Sequence, residues 1–529
     1  MPVEPKTESR TGTVSINPAT GEIIGYHPED RVEDLKDVLE KAREAQREWA
    51  ARSFKERKRH VLAIRDAIVA GAEIIAGIIS RDNGKTRIDA LSTEVMPAAM
   101  AVTYYAKKAG TFLKPKKVRA GNVLFVNKKS HIEHVPYGVI GIISPWNYPF
   151  AIPFHEIAMA LMAGNAVLLK VATHTQQVAA LIRDVVAAGN LPDGLFNLVN
   201  IPGNLAGPAF INADIDKLFF TGSVPVGKQL MAEAAPRLLP LSLELGGNDP
   251  MIVCRDANLH RAAAGAAWAG YSNAGQSCGG VERIYVEKDV YPEFVALLGK
   301  ITESLTYGAD TNGDVEVGSI TTQKQLRTIR QHLEDALAKG AVTSYFSKKL
   351  KGNSEGFFFP PTVLENVDES MMTMQLETFG PIVAVAKVDN VEEAIEKANR
   401  SNLGLTASVW TRNRKKAREI ASRLEAGTVS INDHLMSHGL AETPWGGFKE
   451  SGLGRTHGYI GLEEMTQTRV VVDDVLPFVQ KNMWWYPHDR SIYSGLLGGL
   501  HFLYGKKLSL KIKGLRKLLP VFIRTFRKT

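Results

Sequence analysis

Apolar residues follow two different periods along this chain. From about Val32 to Gly84 they recur at helical spacing, as at Ile64 and Ile68, and this predicts a run of helices. From Gly138 onward, short apolar runs alternate with helical segments, a pattern that predicts βαβ units with a parallel sheet. The predicted strands are Val139–Ile143, Ala166–Lys170, Phe196–Val199 and Lys217–Thr221, and the predicted helices are Ile152–Leu161, Gln176–Ala188 and one that follows Pro225.

A second alternation begins at Pro250. It contains the predicted strands Arg283–Val286 and Ile382–Val388 and the predicted helix Val391–Ser401. The two alternations together predict an α/β fold with two parallel-sheet domains and a hinge near Leu245-Gly246-Gly247. At 529 residues the chain is too long for one compact core, which agrees with more than one domain.

The composition is that of a folded protein in a reducing compartment. Hydrophobic residues make up 44% of the chain and charged residues 23%, fractions that exclude a disordered chain. The amino terminus is polar, so we expect no secretory signal, and no apolar stretch is long enough to predict a membrane-spanning helix. Two cysteines do not suggest a disulfide framework. We therefore expect a cytoplasmic protein.

Positive charge is concentrated at the carboxyl end. The net charge is +8, and the segment from Lys506 to Lys528 holds nine Lys or Arg and no acidic residue. The rest of the chain is therefore nearly neutral, which argues against binding to nucleic acid.

Residues 478–529 carry this charge on an amphipathic pattern, which predicts a basic helix that is kinked or broken at Pro520. Two interpretations stay open: peripheral contact with the inner face of an anionic membrane, or packing on the protein's own surface. The apolar positions recur every three or four residues at Leu508, Ile512, Leu515, Leu519, Phe522 and Phe526.

The two cysteines stand in different settings. Cys254 ends an apolar run and is expected to be buried and inert. Cys278 lies in the loop Asn273–Gly280, where glycines on both sides allow close approach of backbone and substrate. It is a candidate nucleophile if its thiolate is stabilised, and a structural cysteine in a glycine-rich turn is the equal alternative.

Two further segments hold candidate catalytic groups. Glu244 lies between leucines, and an apolar setting raises the pKa of a carboxyl so that it can act as a general base. Asn147 lies in the segment Ser144–Pro149, whose prolines fix the backbone and could hold the amide as an oxyanion donor. Taken singly, a surface glutamate and a rigid aromatic turn explain these segments as well.

A candidate phosphate-binding turn lies at Phe220–Gly227. It joins a strand to a helix through a glycine turn, and free N–H groups at a helix start attract phosphate. The turn is not the GxGxxG fingerprint, so an ordinary strand-to-helix turn is the alternative. Lys170 ends a strand at the edge where nucleotides bind in such sheets, and a solvated lysine is the alternative there.

The joint order of these features resembles the aldehyde dehydrogenase superfamily over roughly residues 12–475. Besides Asn147, Lys170, Glu244 and Cys278, the resemblance includes a Glu-Thr-Phe-Gly-Pro segment that starts at Glu377 and a closing segment, Pro444–Arg455.

The resemblance implies an NAD(P)⁺-dependent enzyme that oxidises an aldehyde to a carboxylic acid. Cys278 would attack the aldehyde, Asn147 and the Cys278 N–H would hold the oxyanion, and Glu244 would activate the water that hydrolyses the thioester. No metal is implied. The implied cofactor contacts are Trp146, Lys170, Gly222, Ser223, Gly227, Glu377 and Phe379.

The resemblance also implies an organisation of the chain. Two Rossmann-like domains are expected, one for the cofactor (residues 1–123 and 142–245) and one for catalysis (residues 246–440). A small β arm (residues 124–141 and 456–475) would join copies into a homodimer or homotetramer.

The cofactor and the substrate are less constrained. Thr173 stands where many NAD-preferring members carry a glutamate, so NAD⁺ is expected while NADP⁺, with help from His174, stays open. No arginine stands out as a clamp for a carboxylate, which favours an apolar, aromatic or long-chain aldehyde. An acylating enzyme and a non-catalytic, membrane-associated binding protein are the alternatives. The candidate pocket residues are Tyr148, Phe150, Trp268, Tyr271, Ser277 and His434.

Overall fold

A computed structural model describes residues 12–352 and 355–525 of the chain. These residues form two compact units: residues 12–114 with 134–467, and residues 115–133 with 468–525. The polar amino terminus, on which the expectation of no secretory signal rests, and Phe526 of the predicted tail helix lie outside the described residues.

The first unit contains a six-stranded sheet within the described residues. Its strands are parallel except for the antiparallel edge strand Gly452–Leu453. Val139–Ser144 and Ala166–Val171 are buried along their whole length, as is typical of parallel strands covered by helices on both faces. The spatial order is Gly452–Leu453, Leu241–Glu244, Lys217–Thr221, Val139–Ser144, Ala166–Val171 and Phe196–Leu198.

The same unit contains a seven-stranded sheet, again counted within the described residues. Only its edge strand Val342–Phe346 is antiparallel to its neighbour. Each sheet has its own apolar core. The order is Val342–Phe346, Thr362–Glu365, Ile382–Val388, Val281–Glu287, Asp249–Val253, Thr406–Trp410 and Thr428–Ile431.

Helices enclose both sheets. The helices in the part of the chain that builds the first sheet are Leu35–Ala51, Phe54–Ala70, Ala72–Asn83, Arg87–Ala90, Met96–Phe112, Ala151–Ala163, Gln176–Ala187, Gly203–Asn212, Val224–Ala234 and Gly458–Glu463. Those in the part that builds the second are Leu259–Tyr271, Tyr291–Ser304, Gln323–Ala338, Met372–Gln375, Val391–Asn399 and Arg414–Ala421. The short paired strands are Gly12–Ile16 with Ile23–Pro28, Thr306–Gly308 with Lys349–Lys351, and Leu403–Gly404 with Phe448–Lys449.

The predicted α/β fold with two parallel sheets is confirmed, and the predicted strands and helices lie within a few residues of the observed ones. One predicted boundary moves. Val139–Gly141 was expected at the end of the β arm, but these residues begin the central strand of the first sheet, because all three are fully buried apolar or glycine positions between two parallel neighbours.

The second unit combines a three-stranded sheet with a pair of helices. The sheet order is Thr466–Asp474, Lys128–Pro136 and Lys116–Arg119, which places the two segments of the predicted β arm side by side. The helices are Arg490–Tyr504 and Leu508–Arg524.

These two helices lie against each other backbone to backbone. A Cβ added to Gly498 would be 2.6 Å from the carbonyl oxygen of Gly514, so only glycine permits the contact. The sequence predicted a kink or a break at Pro520; a break is wrong, because helix Leu508–Arg524 continues through this residue. Among the described residues, no helix has the length and apolar character needed to span a membrane.

Candidate functional site

Loops from both sheets meet where the strands of the first sheet end. Asn147 follows Val139–Ser144, Ser223 follows Lys217–Thr221, and Glu244 ends Leu241–Glu244. Cys278 precedes Val281–Glu287 of the second sheet. The site therefore lies between the carboxyl edge of one parallel sheet and the amino edge of the other, which agrees with the general position of ligand sites in such folds.

Cys278 lies at the junction of three cavities. The first is an apolar pocket of about 270 Å³, the second is a more polar cleft of about 630 Å³, and the third is a small cavity of about 20 Å³. Cys278 lines all three, and Glu244 lines the cleft and the small cavity. The structure thus brings the predicted nucleophile and the predicted base together.

The loop before Cys278 is held in an unusual backbone conformation. Asn273 and Ala274 have φ angles of 53° and 54°, which non-glycine residues seldom adopt. Buried Asp89 stabilises this turn by accepting hydrogen bonds from Ser272 Oγ (2.8 Å) and from the Asn273 N–H (2.9 Å). Asp89 was not among the predicted residues.

Asn147 is fixed with one amide hydrogen to spare. Its Nδ2 donates to the backbone carbonyl oxygen of Gln276 at 3.1 Å, while the backbone carbonyl oxygen of Asn147 accepts from Lys85 Nζ at 2.8 Å and from Asn273 Nδ2 at 3.0 Å. A carboxamide has two N–H donors, so the second can bind an oxyanion that forms on the substrate of Cys278.

Burial changes the pKa values of the predicted nucleophile and the predicted base. Desolvation, followed by the charges of Glu377 and Asp249, raises the pKa of the Cys278 thiol well above its usual range. Desolvation also raises the pKa of Glu244 well above that of a free carboxyl, although Arg455 opposes the shift. Burial also raises the pKa of Cys254, to about 12, but this cysteine is fully buried in the core and lines none of the three cavities, in agreement with the expectation that it is buried.

The polar cleft has the features of a dinucleotide site. Gly222 and Ser223 lie at the start of helix Val224–Ala234, whose first turn carries no acidic residue, so its N–H groups can bind phosphate. Glu377 accepts from the Gly247 N–H at 3.1 Å and faces the cleft.

Aromatic rings form one wall of the cleft. The rings of Trp146 and Phe379 meet edge to face at 5.4 Å. Buried Glu282 holds the Phe379 loop by accepting from the N–H groups of Thr378 and Phe379, both at 2.8 Å.

Two predicted cofactor residues do not line the cleft. Gly227 instead allows its helix to approach the first sheet, because a Cβ there would be 2.7 Å from the Leu245 side chain. Lys170 is buried beside the cleft, and desolvation lowers its pKa to about 8. Its neighbour His174 does line the cleft, and burial together with the charge of Lys170 lowers the pKa of its ring.

The apolar pocket confirms half of the residues predicted for it. Tyr148, Trp268 and Ser277 line it, together with residues that the sequence did not predict: Ser92, Thr93, Met96, Pro97, Met100, Leu435, Met436, His438, Leu440 and Trp445. Ser92, Met96 and Met100 are spaced four residues apart, which places them on one face of a helix; this spacing was the sequence signal that could have identified them.

The other three predicted pocket residues lie elsewhere. Phe150 is fully buried in the first core against Phe154. Tyr271 is buried and its hydroxyl contacts Thr302. His434 is held in the interior by Ser408 and the Gly279 carbonyl. All three satisfy packing or hydrogen bonds of the interior rather than facing substrate. The described residues contain no group of three His, Cys, Asp or Glu side chains placed to bind a metal ion.

Comparison with known proteins agrees with this geometry. The aldehyde dehydrogenase family model matches residues 5–471. The 4,4'-diapolycopene aldehyde oxidase of Methylomonas sp is 36% identical over 94% of this chain and 92% of its own length. A putative succinate-semialdehyde dehydrogenase [NADP(+)] of Mycolicibacterium smegmatis is 38% identical over 85% of this chain and 87% of its own length.

Solved structures give the same result. The NAD⁺ complex of an aldehyde dehydrogenase from Bacillus cereus has a TM-score of 0.83 and 32% identity, covering 88% of this chain and 94% of that one. An NADP-dependent enzyme from E. coli also has a TM-score of 0.83, with 30% identity and coverage of 88% and 95%. The chain therefore belongs to the aldehyde dehydrogenase family.

Proposed function

We propose that this chain oxidises an apolar, aromatic or long-chain aldehyde to the carboxylic acid, with NAD(P)⁺ as the hydride acceptor. One observation carries the proposal: the Cys278 thiol lies where an apolar pocket meets a polar cleft. An aldehyde in the pocket and a dinucleotide in the cleft would both reach the same sulfur atom.

The reaction follows from the neighbours of Cys278. Its thiolate attacks the carbonyl carbon, and the free Asn147 N–H stabilises the oxyanion of the thiohemiacetal. Bound NAD(P)⁺ supplies the hydride acceptor that turns this adduct into a thioester. Glu244 then takes a proton from water, the water oxygen adds to the thioester carbon, and the C–S bond breaks to release the acid and restore the thiolate.

The cofactor would be held by groups that the cleft already presents. Gly222 and Ser223 would bind phosphate, and Glu377 would bind ribose hydroxyls. Trp146 and Phe379 would border the nicotinamide end of the cofactor. NAD⁺ is the favoured form, because His174, which follows Thr173 and lines the cleft, has a lowered pKa and a neutral ring near pH 7 that would not pair with a 2′-phosphate. NADP⁺ is not repelled, since Thr173 carries no charge.

The substrate class follows from the charge of the pocket. Among the described residues that line it there is no Arg, Lys, Asp or Glu, and desolvation lowers the pKa of His438 to about 3, so its ring is neutral. Succinate semialdehyde, named for the Mycolicibacterium relative, carries a carboxylate that this pocket would leave unpaired. A buried unpaired charge is costly, which favours an apolar aldehyde.

Hydrolysis of the thioester distinguishes this proposal from an acylating enzyme, because an acylating enzyme has no need of a base such as Glu244. The test measures NADH and product with NAD⁺ or NADP⁺ across aldehydes of increasing chain length, with and without coenzyme A. We expect free acid in both conditions and no turnover by Cys278→Ala, which should still bind NAD⁺. An acyl-CoA product, or turnover by Cys278→Ala, would contradict the mechanism.

We further propose that the helix pair of the second unit binds the surface of an anionic membrane. Leu518 and Val521 are buried between the helices, whereas a second apolar stripe on Leu508–Arg524 remains exposed. Leu508 is 73% and Leu519 51% exposed. Lysines and arginines flank this stripe, and exposed Trp485 and Tyr486 are residue types that favour the membrane interface.

Co-sedimentation with vesicles tests this surface. The full chain should pellet with phosphatidylcholine vesicles that contain phosphatidylglycerol, and less with phosphatidylcholine alone or at high salt. Leu515→Asp with Leu519→Asp should stay in the supernatant, while the control Val69→Asp with Ile74→Asp, which changes two exposed apolar residues outside the helix pair, should pellet like the wild type. Equal recovery of all three proteins would reject membrane binding and favour packing on another protein surface.

We propose that a second copy pairs with strand Thr466–Asp474. This strand forms an edge of its sheet and exposes Val470 and Val472, which are 58% and 59% accessible. Exposed apolar edge strands readily pair with another chain. Sedimentation velocity should show a homodimer or homotetramer for the wild type and a smaller species for Val470→Lys with Val472→Lys. An unchanged species would exclude this edge as the interface.

A further inference from the structure

A further cavity, of about 440 Å³, adjoins the apolar pocket and has no role in the reaction as described above. Ser92 and Trp268 line both spaces, so the two meet at these side chains. Cys278 lines the pocket but not the further cavity. This distal cavity is therefore the next space that a chain anchored at Cys278 meets beyond Trp268.

The walls of the distal cavity are mostly apolar. Ala264, Ala267 and Trp268 line it from one face of helix Leu259–Tyr271, since they are spaced three and four residues apart. The two alanines are small and leave space beside the Trp268 ring. Ile301 adds an apolar side chain from the next helix of the chain.

The distal cavity exposes apolar surface to solvent. Trp268 is 41% exposed, although its neighbours Ala267 and Ala269 are buried, and Ile88 is 59% exposed. Both residues line the distal cavity. An apolar chain that lies against them removes this surface from water, which favours binding.

The hydroxyl groups on the walls are already bonded to protein. Ser272 Oγ donates to the Asp89 carboxyl at 2.8 Å, and Thr86 Oγ1 accepts from the Asp89 N–H at 3.0 Å. Ser92 Oγ donates to the backbone carbonyl oxygen of Ile88 at 2.8 Å. An apolar chain would therefore leave none of these hydroxyl groups without a partner.

The charge of the distal cavity argues against an anionic ligand. Among the described residues that line it, Asp89 and Glu316 are charged and none is Lys, Arg or His. Both carboxyls are engaged, because Asp89 accepts from the Asn273 N–H at 2.9 Å and Glu316 accepts from the Thr306 N–H at 2.7 Å. A carboxylate or phosphate would meet like charge and no cation here, whereas a neutral chain meets neither cost.

The pocket at Cys278 is small for a long substrate. Its volume of about 270 Å³ lies below the range of about 300–1,000 Å³ that is typical of ligand pockets. The adjoining distal cavity is larger, at about 440 Å³. A long aldehyde would therefore need both spaces.

We propose that the distal cavity binds the far end of an aldehyde chain that is too long for the apolar pocket, and that the chain crosses between the two spaces along Trp268. The substrate is then a long, unbranched apolar aldehyde rather than a short or an aromatic one. Trp268 touches the chain at the crossing and determines specificity without taking part in the chemistry. This inference rests on the proposed function and narrows its substrate class.

The test measures kcat/KM of the full-length protein for n-alkanals from butanal to hexadecanal. Ile88 lines the distal cavity but not the pocket, and its exposed position in the first turn of helix Arg87–Ala90 tolerates an acidic side chain. The rise of kcat/KM with chain length should level off earlier in Ile88→Asp than in the wild type. Each CH₂ group that leaves water is worth about 4-fold, so displacement of two groups lowers the ratio of kcat/KM for a long and a short alkanal about 16-fold.

Leu91→Asp is the matched control. Leu91 is an exposed apolar residue three positions further along the chain, and it lines neither space. This variant adds the same charge and should keep the wild-type ratio. Ala264→Trp is a second test variant, because it fills the distal cavity with bulk instead of charge and should also lower the ratio.

Two results would overturn the inference. The first is a ratio that neither Ile88→Asp nor Ala264→Trp lowers below that of Leu91→Asp. The second is a higher kcat/KM for an ω-amino aldehyde than for the alkanal of the same length, because Asp89 and Glu316 would then select a cation.

A binding measurement separates these results from failure of the proposed function. The n-alkanols carry the same chains without the aldehyde group, and calorimetry gives their Kd without turnover. The Kd should fall with chain length in the wild type and in Leu91→Asp, and should level off in Ile88→Asp. If the wild type oxidises no aldehyde, the proposed function fails. If the alkanol Kd depends on length equally in all three proteins, the distal subsite is excluded in either case.

Discussion

Lys85 Nζ lies 2.7 Å from Glu94 Oε1, and neither side chain is exposed to solvent. The pair holds both ends of the Asn147 loop. Lys85 Nζ donates to the backbone carbonyl oxygen of Asn147 at 2.8 Å. Glu94 Oε2 accepts from the backbone N–H groups of Phe150 and Ala151 at 2.8 and 2.9 Å. A buried ion pair thus fixes the residue that we assign to the oxyanion.

Replacing Lys85 by methionine should therefore destabilise the protein and impair catalysis. Loss of one partner leaves the Glu94 charge buried and uncompensated, which costs about 3–5 kcal/mol. The measurement is the free energy of unfolding in urea, together with kcat. The matched control is Lys228→Met, because Lys228 and Glu450 form a pair of similar length, 2.8 Å, on the surface. The control should change stability by no more than about 1 kcal/mol. Similar losses of stability and kcat in the two variants would contradict the conclusion that the buried Lys85–Glu94 pair fixes the Asn147 loop.

The sequence predicted the parts of this fold that depend on local pattern. Buried parallel strands such as Val139–Ser144 are continuous apolar runs, and the loops of Asn147, Glu244 and Cys278 are short and carry turn residues. Each of these features is contained within a few consecutive residues, so the order of the amino acids alone is sufficient to identify it.

The supporting residues could not be identified this way. Lys85 contacts a backbone atom 62 residues later, and Asp89 contacts Asn273 184 residues later. No local pattern indicates such contacts. Tyr271 and His434 were assigned to the pocket because aromatic residues near a nucleophile look alike whether they face substrate or core.

Cys278 should react slowly with iodoacetamide at neutral pH. Burial and the nearby carboxyls of Glu377 and Asp249 raise the pKa of its thiol, so the reactive thiolate forms only as the pH rises. Bound NAD⁺ brings a positive ring close to the sulfur and should accelerate the labelling. Mass spectrometry follows the reaction, and fully buried Cys254 is the internal control that should stay unlabelled in the folded protein. Fast labelling at pH 7 without NAD⁺ would show that the thiolate is already stabilised.

Glu244→Gln should stop the reaction at the thioester. Glutamine cannot take a proton from water, so the steady-state rate should fall by about 10²–10⁴-fold. Hydride transfer precedes this step and should survive, which gives a rapid burst of NADH close to one per active site. Stopped-flow absorbance measures the burst, and mass spectrometry of quenched protein detects the acyl group on Cys278. Loss of the burst along with the steady state would mean that Glu244 acts before the thioester forms.

The apolar pocket should select aldehydes by length. Each CH₂ that enters it leaves water and gains about 0.8 kcal/mol, which raises kcat/KM about 4-fold until the pocket is filled. Met436→Arg should reverse this trend, because it places a charge among the apolar groups of the lining, where no described residue carries an opposite charge. The variant should lose activity on long aldehydes and gain relative activity on an aldehyde that carries a carboxylate. The control Met231→Arg lies on an exposed helix outside the pocket and should keep the wild-type length dependence. A wild-type profile that is flat with chain length would show that the substrate does not fill this pocket.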